Sequence, residues 1–116
     1  MSPPAALVVL CSAPLQGNGG RLGAHDLART LVEERLCACV SVVPAVRSFF
    51  RWEGRVESAE ELLLVAKTTP AAAAKLRARL VELHPYQVPE VLELPVAGGL
   101  PKYLEWLAAA VGPGAT

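Results

Sequence analysis

Two long β-compatible runs, Cys39 to Trp52 and Arg55 to Thr69, are joined by only Glu53 and Gly54. A two-residue connection with glycine second is hairpin chemistry, because the glycine supplies the positive φ a tight turn needs. Pro44 interrupts the first run and predicts a bulge or bend there, since proline donates no ladder hydrogen bond. If extended, Val40 to Trp52 reaches ~43 Å at ~3.3 Å per residue. A compact chain of this size has a radius of gyration near ~13 Å and a diameter near ~35 Å. The hairpin is therefore too long for its own domain, and its tip is expected to protrude unless the ribbon folds back at Pro44. That tip carries Phe49, Phe50 and Trp52, a group that a soluble monomer rarely exposes together. Burying three such rings releases on the order of 10 kcal/mol gross, at ~25 cal/mol/Å² and ~150–250 Å² each. Self-association through the hairpin, an obligate oligomer, is the expectation, and the free strand edges favour it further.

The remaining elements alternate around this hairpin. Ala6 to Cys11 is a continuous apolar run, as in a strand covered on both faces. Leu15 to Gly23 is a glycine-rich loop. Leu27, Ala28, Leu31 and Val32 recur at helical spacing and Leu36 extends the stripe, which predicts a helix over His25 to Leu36. Thr69 followed by Pro70 is an N-cap and first helical position, and Leu76, Leu80 and Leu83 carry that helix to about Leu83. Glu90 to Val96 is a short strand, and Pro101 opens a last helix through Val111, closed by Gly112-Pro113. The order β-α-β-β-α-β plus a C-terminal helix predicts an α+β, ferredoxin-like sandwich, with two helices on one face of a four-stranded antiparallel sheet. It is expected as a single domain over residues 1–116, with its core from about Ala6 to Val111.

Composition narrows the partners. Eleven basic and eleven acidic side chains cancel, so no field gathers nucleic acid or anionic lipid. No apolar run approaches the ~20 residues that span a bilayer, and Met1 to Ala6 lacks the basic start of a secretory leader. Hydrophobic content of 53% exceeds the usual ~45–50%, consistent with apolar surface beyond a monomer's need. Three cysteines cannot all pair within the chain, and Cys37 and Cys39 are too close for an easy bridge. A reducing cytoplasm suits them.

The segment His84-Pro85-Tyr86-Gln87-Val88-Pro89-Glu90 concentrates chemistry in a rigid backbone. Its prolines keep it out of helix and ladder strand, so it either presents an imidazole, a phenol and a carboxylate to a ligand or is a stiff connector. Cys37-Ala38-Cys39 has metal-like spacing but lies where a helix meets a strand, which favours packing. Gly17 to Gly23 fits neither nucleotide fingerprint and reads as flexible loop. His25 reads as a solvated side chain.

Taken in order, Val9-Leu10-Cys11-Ser12-Ala13-Pro14, Leu36-Cys37-Ala38-Cys39-Val40, Trp52-Glu53-Gly54, Leu64-Val65-Ala66-Lys67-Thr68-Thr69, the His84–Glu90 run and Tyr103-Leu104-Glu105-Trp106-Leu107 resemble the CutA family of divalent-cation-tolerance proteins. The resemblance covers roughly Leu7 to Val111. It implies a ferredoxin-like protomer, a homotrimer joined through the long hairpins, and a role in the response to metal ions. It also implies copper binding at a cysteine ending the first strand and a histidine after the second helix, here Cys11 and His84. Some members carry a second histidine where this chain has Leu83, which removes a ligand. The segment between Pro14 and the first helix is longer than the family's usual one.

A thiolate and an imidazole suit Cu(II), Cu(I) or Zn(II), but two ligands make only a weak or intersubunit site. A buried strand-end cysteine is equally a small hydrophobe. As a nucleophile–base pair, Cys11 and His84 lack a third residue to orient the imidazole, so catalysis is not expected. Trp52, Lys67, Tyr86 and Glu90 form a second group, which the resemblance places near a cleft between subunits. There Glu90 is a candidate partner for Lys67, either in a small-anion pocket or in an interface ion pair. Two functions follow: a non-enzymatic cytoplasmic homotrimer binding Cu(II) or another divalent cation, without organic cofactor; or a signalling trimer resembling PII-like proteins, holding a small anionic effector in the intersubunit cleft.

Overall fold

The computed structural model describes residues 4–113; the first three residues of the stretch searched for a leader lie outside them. Four strands, β1 (Leu7–Ala13), β2 (Cys39–Trp52), β3 (Arg55–Thr68) and β4 (Leu92–Pro95), form one antiparallel sheet in the order β2-β3-β1-β4. Helices α1 (Ala24–Glu33) and α2 (Ala73–Leu83) cover one face, and α3 (Pro101–Ala110) follows β4. This is the ferredoxin-like βαββαβ arrangement with the additional C-terminal helix.

Strand alternation decides which residues enter the core. Val9, Cys11 and Ala13 on β1 and Leu62, Leu64 and Ala66 on β3 face the helices and meet Leu27, Leu31, Leu76 and Leu80. Their neighbours point the other way. Val8, Leu10, Leu63, Val65, Val43, Leu92 and Leu94 share the face opposite α1 and α2, and Leu92 and Leu94 remain 56% and 43% exposed. Cys37, at 1% exposure, is core packing.

The hairpin extends as its length requires. Glu53 and Gly54 take φ of 49° and 80°, the left-handed pair of a two-residue turn. The register shifts between Val43 and Val46, with Ala45 at φ 61°, so Pro44 produces a bulge and not a fold-back. The molecule measures 44 × 31 × 23 Å with a radius of gyration of 14.8 Å, and Phe49, Phe50 and Trp52 are 71%, 42% and 44% exposed.

Several boundaries differ from the sequence expectation for local reasons. The first helix starts at Ala24 and ends at Glu33, short of Leu36, because Arg35 turns left-handed (φ 62°). Its guanidinium then donates to the carbonyls of Ala109 and Gly112 at 3.0 and 2.7 Å, closing α3. Thr69 caps as expected, accepting from the Ala72 amide at 3.3 Å, but Pro70–Ala72 is a 3₁₀ turn before α2 proper. The last strand is shorter than Glu90–Val96.

Candidate functional site

Strand β1 ends at Ala13, opposite Leu62, while β3 runs on toward the hairpin tip. The space beside the bare part of β3 is taken by the segment after α2, as Tyr86 reaching Glu61 shows. Two features start that segment correctly. The His84 amide donates to Leu80 at 2.8 Å and its backbone then turns extended (φ −72°, ψ 139°), as a residue before proline prefers. The β1–α1 loop also grips the end of α2: Arg21 Nη1 donates to the carbonyls of Val81 (3.2 Å) and His84 (3.0 Å), and the Leu22 amide to Leu83 (2.8 Å). The loop read as flexible is therefore a fixed clamp. A Cβ on Gly17 would lie 2.0 Å from the Arg21 carbonyl oxygen, so glycine there permits a close backbone approach.

His84 is fully buried, and both ring nitrogens are committed. Nδ1 accepts the Tyr86 amide at 3.0 Å, which leaves Nε2–H to donate to the Ser12 carbonyl at 2.8 Å. Burial holds its pKa below the ordinary 6.5, against a smaller opposing effect of the Ser12 bond. The Tyr86 ring lies 4.7 Å from the imidazole, and its hydroxyl donates to Glu61 Oε2 at 2.6 Å. Glu61 is only 5% exposed. Next to Ser12, Cys11 is 2% exposed. Burial, followed by the charges of Glu90 and Glu61, pushes its thiol up to about 12.

Between this network and the hairpin tip lies a cavity of about 780 Å³, walled by Phe50, Trp52, Glu61, Tyr86, Pro89 and Glu90, among others. Three of the expected cleft residues, Trp52, Tyr86 and Glu90, thus meet within one protomer. Lys67 does not join them. Its ammonium donates to Ser41 Oγ at 2.6 Å and lies 3.6 Å from Cys39 Sγ. Arg55, paired with Trp52, is twelve residues back along β3 from Lys67, ~40 Å at ~3.3 Å per residue. Within one protomer Lys67 contacts Ser41 and not Glu90, because it sits at the sheet end remote from the His84–Glu90 segment. Glu61 and Arg21 were missed by sequence reasoning. Glu61 was legible as an acid in phase with Leu63 and Val65; Arg21, within a glycine-rich loop, carried no signal.

Copper does not fit Cys11 and His84 as one protomer holds them. The imidazole has no free lone pair and the thiol is far from ionising. Among the described residues no group of three or more His, Cys, Asp or Glu side chains is placed to hold a metal ion.

The antiparallel α+β fold of this protomer is shared with solved CutA and PII-like structures. The family described as "CutA1 divalent ion tolerance protein" matches residues 9–110. The chain is 51% identical over 89 residues to a "Divalent-cation tolerance protein CutA" of Thermus thermophilus, covering 77% of this chain and 86% of that one. A solved Thermus thermophilus structure titled "Divalent cation tolerance protein (Cut A1)" superposes with a TM-score of 0.83 at 46% identity, covering 92% and 99% of the two chains. A "PII-like protein CutA" of Nostoc in apo form superposes at 0.81 and 30% identity, covering 91% and 97%. The chain belongs to the CutA family of divalent-cation-tolerance proteins.

Proposed function

We propose that this chain is the protomer of a non-catalytic homotrimer acting in divalent-metal response, in the cytoplasm. The observation that carries the assembly is the bare sheet face: helices cover the opposite side, yet Val8, Leu10, Leu63, Val65, Leu92 and Leu94 are apolar on this one too. Together with the exposed tip rings, that surface needs sister copies to leave water. Three free cysteines suit a reducing compartment. No helix among the described residues is long and apolar enough to cross a membrane. Sedimentation equilibrium tests the assembly: the protomer is 12.2 kDa, so the folded species is expected at three times that mass, and a folded 12.2 kDa species overturns it.

The metal reading is narrower than the family resemblance implied. Cu(II) at Cys11 and His84 requires the imidazole to release Ser12 or Tyr86 and the thiol to lose its proton, so binding there is weak. Copper heat in titration calorimetry that is tight, and abolished by Cys11→Ala and by His84→Ala, would reverse this statement. A second reading is favoured by the cavity: the trimer is an effector-binding signalling protein resembling PII-like proteins, with Trp52, Tyr86 and Glu90 from one copy on the cleft wall. An effector detected by calorimetry, and lost on Trp52→Ala, supports it.

A further inference from the structure

The walls of the 780 Å³ cavity specify the charge of what enters it. Glu61 is the deepest polar group there, 5% exposed. Its Oε2 accepts from Tyr86, but among the described residues it forms no salt bridge, and no hydrogen bond reaches its Oε1. Every fully sealed polar side-chain atom among the described residues has a partner, so this free oxygen is one that keeps access to the cavity. A carboxylate removed from water without a cation carries a desolvation penalty of several kcal/mol. A second carboxylate, Glu90, stands on the same wall.

Aromatic rings complete the box. By register Phe50 and Trp52 lie on the same face of the ribbon as Glu61, and Tyr86, bonded to Glu61, lines the same cavity. Ring faces are negative and attract a cation most strongly where water is thin. The basic residue on the wall, Arg51, pairs with Val56 and alternates onto the other ribbon face, away from Glu61. Lys67 is held at the far end of the sheet by Ser41. A small anion would therefore meet two carboxylates and no convergent cation. A bare divalent ion would lack the six to eight oxygens that calcium takes, or magnesium's octahedral shell. The volume lies within the ~300–1,000 Å³ of small-molecule sites.

We infer that the cavity is a site for a small organic cation, an alkylammonium whose charged head lies between Glu61 and Glu90 and whose alkyl body lies against Phe50, Trp52 and Tyr86. This rests on the effector-binding reading and replaces its anion with a cation.

Calorimetry on the full chain in its native assembly tests it with butylammonium, tetramethylammonium, butan-1-ol and inorganic phosphate as probes. Butylammonium is expected to bind at least tenfold tighter than butan-1-ol, which shares its alkyl body without the charge. Glu61→Gln and, separately, the exposed Glu90→Gln are each expected to weaken it tenfold or more, and added salt to weaken it in the parent. Tetramethylammonium is expected to bind with the same dependence on both acids. Circular dichroism and sedimentation matching the parent show that the variants are folded and assembled; should Glu61→Gln fail this check, Glu90→Gln decides. Equal binding of alcohol and ammonium, or ammonium binding indifferent to Glu90→Gln, overturns the inference. Phosphate binding in the cavity overturns it while leaving the effector reading intact. No binding by any probe, as when a sister copy's side chain fills the space, overturns both.

Discussion

Replacing His84 separates a structural imidazole from a metal ligand in a single experiment. The ring is fully buried and joins the Ser12 carbonyl on β1 to the Tyr86 amide in the cavity wall. His84→Ala leaves both backbone groups unpaired. Each orphaned buried group costs about 1–3 kcal/mol, and truncating a buried ring adds a void, with ring-to-alanine changes typically costing about 3–5 kcal/mol in total. We expect a loss of about 4 kcal/mol per protomer, a large fraction of the ~5–15 kcal/mol that holds a domain folded. Urea unfolding with chelator present, at fixed protein concentration because assembly contributes to stability, measures it. His84→Gln keeps an amide donor for Ser12 and an oxygen for Tyr86, and is expected to recover about half. The histidine also leaves a pH signature. Its folded pKa is depressed below the ordinary 6.5 by burial, so between those values the unfolded chain binds more protons. Its contribution is complete above pH 6.5 and falls as pH drops toward the folded pKa, by at most ~1.4 kcal/mol per pH unit. Subtracting the His84→Gln profile isolates it. A metal-free His84→Ala protein within about 1 kcal/mol of the parent would refute the structural role.

Other tests address the clamp and the thiols. Arg21→Ala removes two charge-assisted bonds to the end of α2 and is expected to cost about 1–2 kcal/mol in the same urea assay, with faster amide exchange at Tyr86 to Val88 than at α1; uniform protection would contradict the clamp. Cys11 and Cys37 are both held to about 12 by burial, so iodoacetamide at pH 8 is expected to leave both unmodified in the native protein and to label all three cysteines in urea. Because these folded pKa values lie above the ordinary 9.0, their stabilisation is complete below pH 9 and is lost as pH rises toward 12. An alkaline unfolding curve that is flat over that window would refute it.

What the sequence revealed and what it hid follow from the range of the interactions involved. The hairpin, its bulge at Pro44 and its exposed tip were legible because turn chemistry, a missing donor and strand rise are properties of adjacent residues. Thr69 as a cap and Cys37 as core were legible for the same reason. The helix end was not, because Arg35 turns left-handed to close α3, seventy-odd residues later, and no local periodicity reports that. The cleft was half legible. Trp52, Tyr86 and Glu90 line one cavity of the protomer, whereas Lys67 is separated from them by the strand register, which sequence spacing alone does not set.

The same register explains why a cavity exists at all. Strand β1 stops at Ala13 while β3 continues, so the ribbon loses its neighbour at Glu61, and a proline-bound segment that cannot add ladder bonds takes the vacated place. A regular strand there would have closed the gap with hydrogen bonds. Pro85 and Pro89 hold the backbone off, and the space that remains is lined by whatever side chains β3 already pointed that way. One of them is a glutamate, while strand alternation turns Arg47 toward Glu60 and Arg51 to the other ribbon face, and Lys67 lies six residues along β3 on Ser41. The extra residue of the β2 bulge sets which rings join that wall: past it Phe50 and Trp52, and not Phe49 and Arg51, share the face of Glu61, and a ribbon without the bulge would exchange the two pairs.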